Sequence, residues 1–138
     1  MAMSDEEPAD AVARATKVVD SSLIFFAPHN SVLARAGEAN GCKIASQVVA
    51  DRNYLSHGSL VPRKRPDALL NDPALAASRV LRMLREGKVR SIDGEDVDLR
   101  AETICVHGDN PAAVEFARSL RASLEKEGVQ ICAPSTGA

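Results

Sequence analysis

Residues 101–129 read AETICVHGDNPAAVEFARSLRASLEKEGV. An apolar run, a glycine turn and a long periodic segment follow one another there, which is the order of a strand feeding a helix. Residues 103–106 (TICV) form a short continuous apolar run, the mark of a buried strand. Gly108 lets the backbone turn tightly, Asn110 can cap a helix, and Pro111 suits the first helical position. Val114, Ala117, Leu120, Ala122 and Leu124 fall on or near one face, and Gly128 ends the segment. Residues 129–132 are a candidate final strand.

Working outward, the same alternation recurs. Residues 8–19 read as a helix with Pro8 in its first turn, and residues 22–27 (SLIFFA) as a strand buried on both faces. Asn30 or Ser31 caps a helix ending at Gly41, and residues 43–49 (KIASQVV) are a second strand. Residues 51–71 are polar and without period, as expected of a functional or disordered loop. Asp72 and Pro73 open a strong helix with Ala77, Val80, Leu81 and Leu84 as its stripe and Gly87 as its stop. Residues 89–99 suggest a hairpin in which Asp93-Gly94 supplies the positive φ angles of a tight turn. Strands alternating with helices predict an α/β architecture of parallel βα units, with the polar loops gathered at the strands' C-terminal ends. The whole of 1–138 reads as one domain, with residues 1–7 a flexible start.

Bulk composition narrows the class. Apolar residues make up 45% and charged residues 26%, which suits a folded globular chain, and a net charge of −2 gives no reason to expect nucleic acid or an anionic membrane surface. No apolar run approaches the roughly 20 residues that cross a bilayer, and the acidic start MAMSDEEPAD lacks a signal peptide's apolar core. Cys42, Cys105 and Cys132 are odd in number and widely spaced, so they read as reduced thiols of a cytoplasmic protein rather than a disulfide or metal framework.

Two strand exits carry the candidate chemistry. At 106–109 (VHGD), His107 and Asp109 can orient each other, move protons or bind a metal, although a satisfied His in a polar turn explains the bare pattern as well. At 50–54 (ADRNY) and 58–65 (GSLVPRKR), Arg52 and Arg63 offer planar forks for a carboxylate or phosphate. Asp51 and Arg52 fit a structural ion pair equally well. His29 reads as a plain residue before a helix, and His57 as exposed. No metalloprotease, nucleophile-elbow, phosphate-loop or dinucleotide motif is present.

The run VVADRNYLSHGSLVPRKRPDALLNDP resembles the LamB/YcsF family pattern VFADRxYxxDGxLxPRxxxGAxIxDx, and the opening stretch resembles that family's closing DTxCVHGDxxxAxxxAxxxRxxLxxxGI. The likeness spans about residues 9–131. It implies a partial (β/α) barrel related to polysaccharide deacetylases and some glycosidases. It implies the A component of an ATP-dependent 5-oxoprolinase, a cytoplasmic hydrolase that works with B and C subunits to open the lactam 5-oxo-L-proline to L-glutamate. Asp51, Arg52, Tyr54, Pro62, Arg63, His107, Gly108 and Asp109 match family motif positions. Taken with the residue chemistry, His107, Asp109 and Asp51 are the catalytic candidates and Arg52, Tyr54 and Arg63 the substrate-binding ones. No metal or cofactor ligand is assigned, and ATP is expected to serve the complex rather than to bind clearly to this chain.

The chain departs from the pattern in several places. The family's DLNxDxGE and KPHGALYN segments are absent, its Gly-Leu-Ala-Gly-Ser turn is replaced by residues 26–31 (FAPHNS), and His57 stands where an acidic residue is usual. A barrel short of strands keeps open edges, so impaired activity and association with a partner or with a second copy are expected. A non-catalytic assembly module for the B and C subunits, or a metal-dependent deacetylase-like hydrolase, are the other readings of the resemblance.

Overall fold

The structure is a computed structural model that describes residues 3–109 and 112–134. The chain separates into two compact units. The first comprises Met1–Val48, Ala101–Thr103 and Ala133–Ala138, and the second Val49–Arg100 and Ile104–Cys132.

The first unit is built from two helix–strand pairs, α1 (Glu6–Val19) with β1 (Ile24–Pro28), and α2 (Val32–Ala39) with β2 (Lys43–Val49). β1 and β2 pair in parallel from Ile24 opposite Lys43 to Pro28 opposite Gln47. The parallel βα reading therefore holds here. Helix α1 starts at Glu6, inside the segment expected to be flexible, and Glu6 and Glu7 place negative charge on its positive N-terminal end. Ser31, not Asn30, caps α2 by accepting the Ala34 N–H at 3.0 Å, while Asn30 takes the left-handed φ of 55° that turns the chain into the helix.

The core of this unit is small and aliphatic: Ala9 and Ala13 of α1 pack with Phe25, Ala27, Leu33 and Ala34. Small side chains bring the helices close to the strands. Gly37 shows how close, since a Cβ there would stand 2.5 Å from the Ile44 Cδ1. The expectation that residues 22–27 are buried on both faces is corrected. Burial alternates along β1, with Phe25 buried and Phe26 45% exposed. β1 is an outer strand in the order β1-β2-β5, and only its face bearing Phe25 and Ala27 is buried.

The second unit contains α3 (Pro73–Glu86), β3 (Lys88–Arg90), β4 (Asp96–Asp98), most of β5 (Thr103–Cys105) and α4 (Ala113–Lys126). The chain leaving β2 stays beside β5 through the Ala50 N–H, which donates to the Cys105 carbonyl at 3.0 Å. Asp72 caps α3 by accepting from the Ala74 and Leu75 amides, and Gly87 ends it at a left-handed φ of 65°. The stripe of α3 is rotated from the expected one. Ala76, Ala77, Val80 and Met83 are buried, whereas Leu84 faces solvent. In α4, Phe116, Leu120 and Leu124 are buried, and Val114, Ala117 and Ala122 are exposed. A strict four-residue spacing suffices because α4 packs chiefly on a single neighbour, α3.

Other expectations shift as well. β5 is half-buried along its length rather than fully buried. In the hairpin only Gly94 takes a positive φ, at 83°, and the Ser91 N–H closes the loop onto the Glu95 carbonyl at 2.8 Å. The turn is therefore wider than a two-residue one. Residues 129–132 form no strand. The expected cap and first helical residue, Asn110 and Pro111, lie outside the described residues.

An ion network ties the hairpin to α3. Arg82 makes a two-pronged contact with Asp96 at 2.9 and 2.6 Å, and Arg90 reaches the same carboxylate at 3.3 Å. Hydrogen bonding from Arg82, the largest cause, helps pull the Asp96 carboxyl down to about 2 from its ordinary 3.8. A carboxyl depressed in the folded state stabilises above its unfolded value and stops doing so as pH falls through its folded value. Urea midpoints should therefore fall between about pH 4 and pH 2. The Asp96→Asn variant, already without this contribution at neutral pH, should show a shallower decline over that window.

Candidate active site

The site lies within the second unit, where the polar segments after β2 and β5 meet. Residues 51–71 contain no regular element, yet they are ordered by their own backbone. The Asn53 N–H donates to the Ala68 carbonyl at 3.0 Å, the Val61 N–H to Asn53 at 2.9 Å, and the Leu70 N–H to Asp51 at 2.9 Å. Isolated bridges join Arg52 with Leu69 and Tyr54 with Leu60. The loop thus returns twice along its own start and carries Arg63 back towards Asp51.

Asp51 and His107 form a close pair. The His107 Nδ1 lies 2.9 Å from the Asp51 Oδ1, and the His107 backbone N–H donates to the Oδ2 at 3.0 Å. One carboxylate therefore grips both the main chain and the ring of His107. A carboxylate accepts, so the ring tautomer that donates from Nδ1 to Asp51 presents Nε2 as a lone-pair base. Among the described residues, Nε2 has no hydrogen-bond partner. The His107 side chain keeps 28% of its surface and that of Asp51 15%, so the pair is sheltered but reachable.

Arg63 forms an ion pair with Asp109 beside this dyad, with both side chains about half exposed. Hydrogen bonding from Arg63 holds the Asp109 carboxyl below its ordinary range. Asp109 is therefore ionised at neutral pH and suited to holding a cation rather than to giving up a proton. The four groups border one cavity of about 210 Å³, whose remaining wall is Leu69, Leu70, Asn71, Val106, Ala113 and Phe116. Drug-sized ligands usually need roughly 300–1,000 Å³, so this cavity suits a smaller metabolite.

Arg52 and Tyr54, expected to contact substrate, are placed differently. Arg52 is 7% exposed and its guanidinium donates to the Val61 carbonyl at 2.6 Å and to the Ala68 carbonyl at 3.3 Å. Tyr54 is 6% exposed, and its hydroxyl accepts the Val49 N–H at 2.8 Å. Burial pushes the Tyr54 hydroxyl's pKa up, so it stays protonated. A long loop without sheet or helix leaves carbonyls that need donors, and Arg52 sits against the backbone for that reason, while Tyr54 accepts from the last residue of β2. Neither borders the cavity. The alternative Asp51–Arg52 ion pair does not form, because Asp51 faces His107.

The other candidates lie apart. In the first unit the His29 Nδ1 lies 3.4 Å from the Ser46 hydroxyl, and in the second an exposed His57 contacts the Ser59 hydroxyl at 2.6 Å. Cys42, Cys105 and Cys132 are free thiols. Burial, then Asp51, raises the Cys105 pKa, which keeps it the unreactive thiol. Among the described residues no three His, Cys, Asp or Glu side chains converge as metal ligands, and no helix is long and apolar enough to cross a membrane. Sequence reading missed the apolar wall and Asn71. Leu69 and Leu70 were hidden in a stretch without period, and Phe116 was indistinguishable from a packing residue.

Fold and site together define an α/β protein with parallel strands whose polar strand exits carry an Asp–His pair. The chain belongs to the LamB/YcsF family, whose model matches residues 1–137, so the resemblance seen in the two motif runs extends along nearly all of it. It is 46% identical over 137 residues to the A component of the 5-oxoprolinase of Rhodopseudomonas palustris strain BisB18, covering 99% of this chain and 53% of that protein. The corresponding A component from Bacillus subtilis strain 168 is 43% identical over 135 residues, covering 98% and 52%. The crystal structure of a lactam utilization protein from Thermus thermophilus matches with a TM-score of 0.87 at 38% identity, covering 94% of this chain and 51% of that one. The chain spans about half the length of the curated relatives it matches.

Proposed function

We propose that this chain acts in 5-oxoproline metabolism as the A component of an ATP-dependent 5-oxoprolinase, opening the lactam 5-oxo-L-proline to L-glutamate together with B and C subunits. The names carried by its relatives and the sheltered Asp51–His107 pair on a small cavity support this reading. Its architecture is then part of a (β/α) barrel with the site at the strands' C-terminal rim.

Lactam hydrolysis adds water across the ring C–N bond. The attacking oxygen loses a proton, and the ring nitrogen gains one as the C–N bond breaks and it leaves as an amine. His107 Nε2 accepts the first proton, while Asp51 fixes the ring and stabilises the imidazolium that forms. Arg63 is the one guanidinium bordering the cavity among the described residues, and a carboxylate is the ligand its fork matches best. It would hold the substrate's carboxylate in exchange for Asp109. ATP drives the ring opening and is assigned to the assembly, since the cavity is sized for the lactam alone.

The test is reconstitution with B and C subunits. ADP and glutamate release from 5-oxoproline should require this chain. Release that proceeds equally without it, or 5-oxoproline that never becomes glutamate in its presence, would remove the enzymatic reading and favour an assembly module.

A further inference from the structure

We propose that Arg79 of α3 is a positioning residue for the Asp51–His107 pair, an inference that rests on reading His107 as the base. Its Nη1 donates to the Asn53 Oδ1 at 2.7 Å and its Nη2 to the Arg52 carbonyl at 3.2 Å. The guanidinium carbon lies 6.0 Å from the centre of the Tyr54 ring. Tyr54 in turn holds the Val49 N–H through its hydroxyl at 2.8 Å. The chain from Val49 to Tyr54 is thereby held on both sides of Asp51, whose own carbonyl accepts the Leu70 N–H at 2.9 Å. With its backbone held before and after, the Asp51 carboxylate is presented to the ring and amide of His107.

The cost of this arrangement points to its purpose. No carboxylate pairs with Arg79 among the described residues, and its buried Nε has no hydrogen-bond partner. Removing a guanidinium from water without a counter-ion is unfavourable, and an aliphatic residue would serve the packing of α3 better. What Arg79 supplies instead is two directed donors on consecutive residues of the segment that carries Asp51. A lysine offers a single ammonium and reproduces this only in part.

The imidazole nitrogens of His107, followed by nitrogen-15 NMR in the intact chain, provide the decisive readout because they do not depend on turnover. The parent protein should show His107 as the Nδ1–H tautomer. In Arg79→Met the tautomers should mix while the amide spectrum stays folded, and Arg79→Lys should restore part of the signal. In the reconstituted enzyme kcat should fall about tenfold or more with KM within about twofold, as for a displaced base. A folded Arg79→Met protein with unchanged tautomer and unchanged kcat overturns the inference. Should Arg79→Met fail to fold, Asn53→Ala removes the shorter of the two contacts and is judged by the same criteria. If Arg79→Met shifts the tautomer but His107→Ala is fully active, Arg79 still positions the pair and the catalytic reading alone is lost.

Discussion

Replacing His107 with alanine should lower ADP and glutamate release from 5-oxoproline by about 10²- to 10⁴-fold, the range general acid–base catalysis contributes. The ring's only hydrogen-bond partner among the described residues is Asp51, and it is 28% exposed, so its loss should leave the fold intact. The grip of Asp51 on the backbone N–H of residue 107, at 3.0 Å, survives the substitution. The deficit should therefore appear in kcat rather than in KM or thermal stability. Asp51→Asn should approach the same loss by another route, since an amide can donate to Nδ1 and stabilise the wrong tautomer. Steady-state kinetics of the reconstituted enzyme decide the matter. A His107→Ala protein within a few-fold of the parent would mean that the pair only ties two loops together.

Arg52→Met should be a stability variant and not a binding variant. The methionine keeps the length of the side chain but leaves the Val61 and Ala68 carbonyls without their charged donor. Hydrogen bonds to charged groups contribute roughly 1.5–3 kcal/mol each, and the 3.3 Å contact to Ala68 belongs at the weak end. The expected loss is about 3 kcal/mol, read from urea midpoints. Arg63→Met, half exposed at the cavity, should instead raise KM for 5-oxoproline with little change in midpoint. The two arginines lie in one motif run and look alike in sequence. A rise in KM without loss of stability in Arg52→Met would reverse their assignment.

Much of the framework was legible because its signals are local. Asp72, Pro73 and Gly87 bracket α3 by capping chemistry alone, and the strand expected at 43–49 matches β2 residue for residue. Burial was harder to read. Phe26 looks like core, and Val114 looks like part of a stripe, because composition does not say which face a neighbour will cover. Among the site residues, the approach of the segments around Asp51 and His107, 56 positions apart, followed from the rule that strand exits share a rim. The pairing itself did not: Asp109, the neighbour expected to orient His107, pairs with Arg63 instead. The inward turn of Arg52 did not follow from any local rule. It depends on where the carbonyls of Val61 and Ala68 end up, and that is settled only once the loop has folded back on itself.

The main-chain scaffolding of residues 51–71 also bears on how this protein can diversify. Contacts that set the loop's path run between its own backbone groups and through a few buried or half-buried side chains, Arg52, Asn53, Tyr54 and Arg79. Positions such as Leu55, Ser56 and Lys64 can accordingly drift without moving the groups that face the cavity. Exchanges at Leu69, Leu70 or Asn71 reshape its wall directly. New ligand preferences are thus accessible through a handful of wall positions while the Asp51–His107 geometry is inherited unchanged.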